Sequence, residues 1–435
     1  MSITFSSTTT ANTAAAGIFA PTAPAAAELP AFARQRVERF YSERVQASWN
    51  GRHILRGLKP ERTSLMLQSN DYLAITQHPL IVEAQRSALA DSGNGMMMSS
   101  IFMQHDDDPV HVLERELAMS LHTEDAILTQ SGYVANVGLV QSLAGERTPV
   151  YVDMLAHTSL WEGIKSAGAN AVPILHNDAD YLERQILRHG PGVVLVDSVY
   201  STNGSLCPLE TFANIAQRHG CVFVVDESHS LGTHGRAGEG LVASQNLNDR
   251  VHFITASLAK AYCARAGLIA CSRHFKQYFA FESLPAIFSS SLLPHELAGI
   301  DAAHRVIGSE GWRRARLGHV TRRVREGLTQ LGYPIGEGSE QIIALEPGAE
   351  SATMLLRDRF EEAGIFGSIF CAPATAKNRS LLRLTLNASM DDTDIEFLLG
   401  VAAKLRSELR LEEWSASRRA RRGLTNLQPA LAEVA

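Results

Sequence analysis

Lysine is scarce in this chain. Of 40 basic residues among 435, only six are lysine (Lys59, Lys165, Lys260, Lys276, Lys377 and Lys404), and arginine carries the rest. Surface charge is thus delegated to arginine, so a lysine in apolar company, such as Lys260 in ITASLAKAY, is not readily dismissed as a solubility device. Cysteine is also sparse: Cys207, Cys221, Cys263, Cys271 and Cys371 are odd in number and form no C-x-x-C pair. That argues against a zinc site or any other metal centre and fits a reducing compartment, with the cytoplasm expected. No apolar run approaches the roughly 20 residues needed to cross a bilayer, so no membrane span is expected. The start lacks a positive stretch followed by an apolar core and does not read as a signal peptide. Net charge is -6, so no basic field invites nucleic acid.

Hydrophobic residues make up 45% of the chain, enough for a full core in about two folding units. Residues 1–29, rich in Ala, Thr, Ser and Pro, read as a disordered leader, and 30–60 as an N-terminal segment. Seven short β-branched runs follow: AILTQ, VYVDM, VPILH, VVLVDS, CVFVVDE, VHFITAS and LIACS. Helical patterns such as DYLERQILRHG and LETFANIAQRHG separate them, which calls for an α/β fold with a mostly parallel seven-stranded sheet covered on both faces. Ligands of such sheets bind beyond the carboxyl ends of the strands, where Gln130, Asp153, Asp197, Asp226 and Ser257 fall. The large domain is expected over 61–295. The texture after Pro294, an arginine-rich amphipathic helix followed by QIIALEP, SIFCAP, LLRLTLNA and a last helix, predicts a smaller α+β domain over 296–412, with 413–435 as a tail.

Ser257 and Lys260 stand in S-x-x-K spacing, which admits two chemistries. The lysine could help to deprotonate the serine of an acyl-hydrolase, or its own amine could hold an aldehyde cofactor as a Schiff base. Asp226 ends one strand and Lys260 follows the next, so a carboxylate and an amine meet at neighbouring strand ends. A carboxylate there can keep a pyridine nitrogen protonated, as pyridoxal phosphate requires, and His229 lies three residues on, within reach of the cofactor's phenolic oxygen. His157, just past another strand, can stack on the ring or merely cap a helix. A phosphate needs backbone N–H donors at a helix start and hydroxyls; Ser131, Gly132 and Tyr133, with Ser257, Ser289 and Ser290, supply candidates.

SGYVANVG, DMLAHTSLWEG, VDESHSLGTHGRAGEGL, TASLAK and LLRLTLNA, in this order, resemble the α-oxoamine synthases, fold-type I pyridoxal phosphate enzymes that join an amino acid to an acyl-CoA with loss of carbon dioxide. The resemblance covers about residues 30 to 410. QSNDYLAITQHPLI, RHGPGVVLVDSVYST, TASLAKAY and SIFCAPATAKN resemble in particular the branch that makes quorum-sensing α-hydroxyketone autoinducers. The resemblance implies a transferase making a long-chain α-aminoketone from a medium-chain acyl-CoA and a small amino acid or S-adenosylmethionine. It implies catalytic roles for Lys260, Asp226, His229 and His157. It further implies cofactor contacts from Ser131, Gly132, Tyr133, Ser201 and Ser257, and substrate contacts from Arg383 and Asn70. Ser290 matches a phosphate contact given by a partner subunit, hence a homodimer with shared sites. Synthesis of 8-amino-7-oxononanoate or 2-amino-3-ketobutyrate is the alternative within the family. The sequence departs from the family at GNGMMMSSIFMQHDDD, where most members carry G-S-G-G-S-R, so Met96, Met97, Met98, Phe102 and Met103 have no inherited role. The hydrolase reading lacks both S-D-N and K-T-G elements, the nearest match being Ser69-Asn70-Asp71.

Overall fold

Alternate burial of β-branched residues on two opposite faces is what makes a strand the cheapest form for each of the seven runs. In a computed structural model, which describes residues 27–103 and 105–421, they are β1 (Asp125–Thr129), β2 (Pro149–Asp153), β3 (Asn170–Ile174), β4 (Val193–Asp197), β5 (Val222–Asp226), β6 (Phe253–Ser257) and β7 (Gly267–Cys271). They form one sheet in the order β1-β7-β6-β5-β4-β2-β3. β2 to β6 pair in parallel, and β7 runs antiparallel between β6 and β1.

The covering helices are α1 (Pro79–Ser92), α2 (Pro109–Ser120), α3 (Gly132–Leu143), α4 (Thr158–Ser166), α5 (Ala179–His189), α6 (Leu209–Arg218), α7 (Arg273–Glu282) and α8 (Pro294–Ser309). The two faces can be read residue by residue. Val194, Val196, Phe223, Val225 and Ile254 pack with Ile81, Val110, Leu182, Phe212 and Ile300. Their neighbours Val193, Leu195, Val224 and Phe253 pack the other way, with Leu139, Val140, Leu160, Ile164 and Phe279. The helix α5 illustrates the local logic: Asp178 caps it by accepting from the Tyr181 N–H at 2.7 Å, Leu182 and Ile186 face inward, and Gly190 stops it at φ 88°.

A second core gathers around β8 (Ile342–Gly348), β9 (Ser368–Phe370) and β10 (Ser380–Thr385), an antiparallel sheet in the order β9-β10-β8. Val320 and Val324 of α9 (Gly311–Gln330), Leu356 and Phe360 of α10 (Glu350–Glu362), and Ile395 and Leu398 of α11 (Asp392–Leu405) fill it against Ile343, Leu345, Leu382 and Leu384. The change of core falls inside α9, where Leu317 still packs with the first cluster and Val320 with the second. Leu65–Met66 pairs in parallel with Ile365–Phe366. Leu67 O and Tyr72 O then accept from Thr385 N and Ala388 N at 2.9 and 2.8 Å, drawing the segment 65–72 alongside β10.

Contacts divide the chain after His53. The described part of the first unit is a helix, Ala31–Arg39, continuing as a π-helical stretch, Phe40–Ser48, with Phe40 set edge-on to Trp49 at 5.8 Å. Of the expected leader, residues 1–26 lie outside the described residues, as do 422–435 of the expected tail. Among the described residues no helix is long and apolar enough to cross a membrane.

Phe223, fully buried in mid-sheet, tests how far the two-faced core sets stability. Replacing it with alanine is expected to cost about 3–5 kcal/mol, read as a fall in the urea midpoint with an unchanged m-value.

Candidate active site

The carboxyl ends of β4, β5 and β6 lie side by side, with Asp197 opposite Asp226 and Asp226 opposite Thr255. Asp226 is buried. Its Oδ2 accepts from Asn136 Nδ2 at 2.7 Å and its Oδ1 from the Ser228 N–H at 2.8 Å. Asn136 sits just over one helical turn beyond Gly132 on the inner face of α3 and donates its Nδ2 also to Ser159 Oγ at 2.8 Å. His157 caps α4: the Ser159 N–H donates to its Nδ1 at 3.3 Å. An Nδ1 that accepts from a backbone N–H carries no proton, so the Ser159 hydroxyl, 2.7 Å away, donates to it as well. The ring's proton is therefore on Nε2. Burial pushes the His157 pKa down, with Asp226 opposing and Lys260 adding to the fall, which keeps the imidazole neutral. His157 thus caps the helix within the electrostatic reach of Asp226 and Lys260, with Tyr133 set edge-on to its ring at 6.4 Å.

Lys260 follows β6 in a turn, not a helix, and Cys263 N–H donates to its carbonyl at 2.9 Å. Ser257 is the last residue of the strand. The lysine is therefore not one helical turn above the serine, as the acyl-hydrolase reading requires, and that reading is overturned. Burial and the Arg383 charge push the Lys260 amine below its usual range, and Asp226 partly counteracts them. A lowered amine pKa is what a nucleophilic lysine needs near neutrality.

His229 is buried, and the Tyr72 hydroxyl lies 2.6 Å from its Nδ1. Burial holds the phenol protonated and, together with Lys260, Arg383 and His157, pushes the imidazole pKa well down. The phenol then donates to Nδ1, leaving Nε2–H as a donor. Gln341 Nε2 donates to the His229 carbonyl at 2.9 Å and fixes the turn.

Arg383, buried on β10, donates through Nη1 to Ser201 O at 2.8 Å and through Nη2 to Asn70 Oδ1 at 3.2 Å, and its guanidinium lies 4.5 Å over the Phe370 ring. Its buried Nε has no partner among the described residues. The candidate phosphate donors cluster at the start of α3. Ser131 caps this helix by accepting from Val134 N–H at 3.2 Å. A Cβ on Gly132 would meet Ser257 Cβ at 2.5 Å, so only glycine lets the helix start lie against the end of β6. Ser257 N–H in turn donates to Ser228 Oγ at 2.7 Å. Ser290 is exposed, and its carbonyl accepts from Gln130 Nε2 beside this helix start.

The structure thus links Asp226, His157, Lys260, His229, Arg383, Asn70 and Ser201 into one site, with Ser131, Gly132, Tyr133 and Ser257 at its edge. This donor set fits a phosphorylated pyridine aldehyde: a helix N-terminus with hydroxyls, a fixed carboxylate, a half-buried amine and a neutral imidazole. Sequence reading missed Asn136, Ser159, Ser228 and Tyr72. Asn136 is legible only once Gly132 is known to start a helix, because a polar residue on its buried face then needs a buried partner. Among the described residues no group of three or more His, Cys, Asp or Glu is arranged to hold a metal.

Glu227 supports the loop from beneath. Fully buried, its Oε1 accepts from the N–H groups of Leu241 and Val242 at 2.6 and 2.9 Å. Burial, offset in part by these bonds, pushes its carboxyl up to about 7. The folded protein therefore holds the proton that the unfolded chain releases at the ordinary carboxylate pKa. Stability is expected to fall as pH rises from the ordinary carboxylate range to about 7. Chemical denaturation across this range should show the decline in the parent and a flatter profile in Glu227→Gln.

Comparison with known proteins places these features in context. The family model for aminotransferases of class I and II matches residues 62–401. The CAI-1 autoinducer synthase of Vibrio campbellii is 42% identical over 376 residues, covering 86% of this chain and 95% of that protein. The 8-amino-7-oxononanoate synthase of Trichlorobacter lovleyi is 30% identical over 354 residues, covering 80% and 90%. Among solved structures, the serine palmitoyltransferase of Sphingomonas wittichii aligns at a TM-score of 0.77 and 25% identity over 87% of this chain and 97% of that one. That of S. paucimobilis, solved with a pyridoxal phosphate adduct, shares the fold at a TM-score of 0.79 and 24% identity, covering 86% and 98%.

Proposed function

Since the chain belongs to the class I and II aminotransferase family, and within it to the α-oxoamine synthases, pyridoxal-phosphate-dependent acyltransferases, we propose that it condenses a medium-chain acyl-CoA with a small amino acid or S-adenosylmethionine. Carbon dioxide and free CoA leave, and the product is a long-chain α-aminoketone, the precursor of a quorum-sensing autoinducer. The observation that carries the chemistry is the convergence of a desolvated Lys260 amine, the fixed Asp226 carboxylate and the buried Arg383. The similarity to an autoinducer synthase along nearly its whole length supports the choice of product.

Pyridoxal phosphate, when bound, supplies an aldehyde for covalent attachment and an electron-accepting ring. In this reading Lys260 Nζ would hold the cofactor by its aldehyde, and as a neutral amine it would take the proton from the substrate Cα. Asp226 keeps a proton on the ring nitrogen, and Asn136 and Ser228 hold its two oxygens so that it cannot turn away. His229 donates Nε2–H toward the phenolic oxygen, with Ser201 nearby. His157 would flank the ring. The N–H groups of Gly132 and Tyr133, with the hydroxyls of Ser131 and Ser257, take the phosphate. Arg383, steadied by Asn70, binds the substrate carboxylate, for which a planar two-pronged donor is suited and a lysine is not.

Two further parts of the reading concern assembly and place. Ser290 is given to the site of a second copy in a homodimer. Its exposure, and that of Met96, Met97, Phe102, Phe281 and Phe288 along the segments on either side of the Ser99–Ser290 bridge, support this. The cytoplasm is the proposed compartment, supported by five cysteines of which none forms a disulfide.

Protein supplied with pyridoxal phosphate is expected to show a visible absorption band that borohydride abolishes. Lys260→Ala should lack both the borohydride-sensitive attachment and turnover; appreciable activity in that variant would overturn the assignment. Arg383→Lys is expected to raise KM for the amino acid about tenfold or more, with KM for acyl-CoA little changed. CoA release across acyl donors reads the branch: a preference for the substrates of 8-amino-7-oxononanoate or 2-amino-3-ketobutyrate synthesis would replace the autoinducer reading.

A further inference from the structure

The arginine-rich segment 415–421 has no part in the site as built so far, yet it meets β8, the strand paired with the one that carries Arg383. Residues 415–421 are helical. From this helix Arg419 donates through Nη1 and Nη2 to the two oxygens of Glu346 at 2.6 and 2.9 Å, and through Nε to Glu337 at 2.9 Å. Ser415 Oγ donates to the same Glu346 oxygen as Nη1. Glu346 lies buried on β8. Its carboxylate also accepts from Arg379, at 3.3 Å from Nε and 3.0 Å from Nη2, and Arg379 reaches Glu337 at 3.1 Å. Burial alone would raise the Glu346 pKa, and the hydrogen bonds from Arg419, Arg379 and Ser415 outweigh it, so the carboxylate stays ionised.

The position of Arg379 is what gives this cluster meaning. It immediately precedes β10, four residues before Arg383, and ends the connection 371–379 that begins after Phe370. Phe370 is the ring under the Arg383 guanidinium. The connection therefore leaves from the stacking partner of Arg383 and returns at the root of Arg383's own strand, and the buried carboxylate fastens it there. Gly348, at φ 97°, brings β8 so close to the terminal helix that a Cβ would meet Ser415 Cβ and Asn378 O at 2.6 Å each. Trp414, buried, anchors the entry to this helix by donating Nε1–H to Leu409 O at 2.8 Å and lying edge-on to Tyr333 at 5.8 Å.

We propose that the helix 415–421, through Arg419 and Glu346, is a strap that holds the 371–379 connection and thereby sets the Phe370–Arg383 stack for the substrate carboxylate. Arg419 is thus a positioning residue for the amino-acid substrate, more than 30 residues along the chain from the arginine it serves. The inference rests on the carboxylate-binding role proposed for Arg383.

The test compares Arg419→Ala, Arg419→Lys, Glu337→Gln and Arg383→Ala in the full-length, cofactor-loaded enzyme, well below each variant's unfolding midpoint. Amino-acid affinity is read both as KM and by titrating the cofactor's visible band. Arg419→Ala should raise the amino-acid KM and the spectroscopic Kd about tenfold, with KM for acyl-CoA and kcat within about twofold. Arg419→Lys, which keeps one ionic contact with Glu346, should recover part of the loss. Glu337→Gln, at the exposed edge of the cluster, should produce a smaller shift of the same kind without a folding defect. Unchanged amino-acid affinity in both Arg419→Ala and Glu337→Gln, alongside a loss in Arg383→Ala, would overturn the strap alone. Unchanged affinity in Arg383→Ala would remove the carboxylate role beneath it. Equal losses for amino acid and acyl-CoA in Arg419→Ala would mark a merely structural helix and overturn the proposal.

Discussion

A carboxyl group buried at the end of a strand is costly unless donors replace its water, and the fastening of Asp226 is the constraint on which the rest of the site depends. One oxygen is held by the turn that follows β5 and the other by Asn136 from α3. That second bond dictates where α3 starts, and with it the place of the Gly132 amide. Asn136 has no amide hydrogen left over, because its other contact goes to Ser159 and fixes the histidine that caps α4. One strand end and two helix starts are thereby locked through one carboxylate.

Electrostatically the same burial sorts the titratable groups. His157 and His229 are driven toward neutrality by loss of solvent, and Lys260 is lowered by burial and by Arg383. Asp197, beside Asp226, is raised well above its ordinary value by burial and by its neighbour. An arginine keeps its charge under such conditions. The site therefore sets two imidazoles and an amine of lowered pKa around one durable cation.

The sheet was legible because alternation and β-branching are local signals. All seven runs became strands of one sheet, and the residues at their carboxyl ends became its site. The parallel pattern was legible too, but β7's reversal was not, since nothing in LIACS records the direction of its neighbours. In the site, residues that end strands, follow them closely or open helices could be found, Asp226, Lys260 and Gly132 among them. Asn136, Ser159 and Tyr72 could not, because each owes its role to a partner 90, 23 or 157 residues away. Arg383 was reached only by resemblance; no spacing in the chain reveals that β10 passes the ends of β4 and β5. Residues 413–435 read as a tail, yet Arg419 is bonded to a buried carboxylate, a pairing that composition cannot disclose.

The reversal of β7 has a further consequence. Elsewhere in the sheet successive strands are joined over the faces by helices, and such crossovers absorb insertions easily. The lysine instead sits in a hairpin: Ser257 pairs with Gly267, and the Leu258 and Ala264 N–H groups close it further by donating to Ala266 O and Leu258 O at 2.9 and 3.0 Å. A hairpin transmits length as register, so one residue added between these strands would either bulge out or turn every following side chain of β7 to the wrong face of the sheet. The Lys260 amine is therefore gauged by the core itself, and drift in chain length, harmless across most of the surface, is resisted at the point where the proposed Schiff base would form.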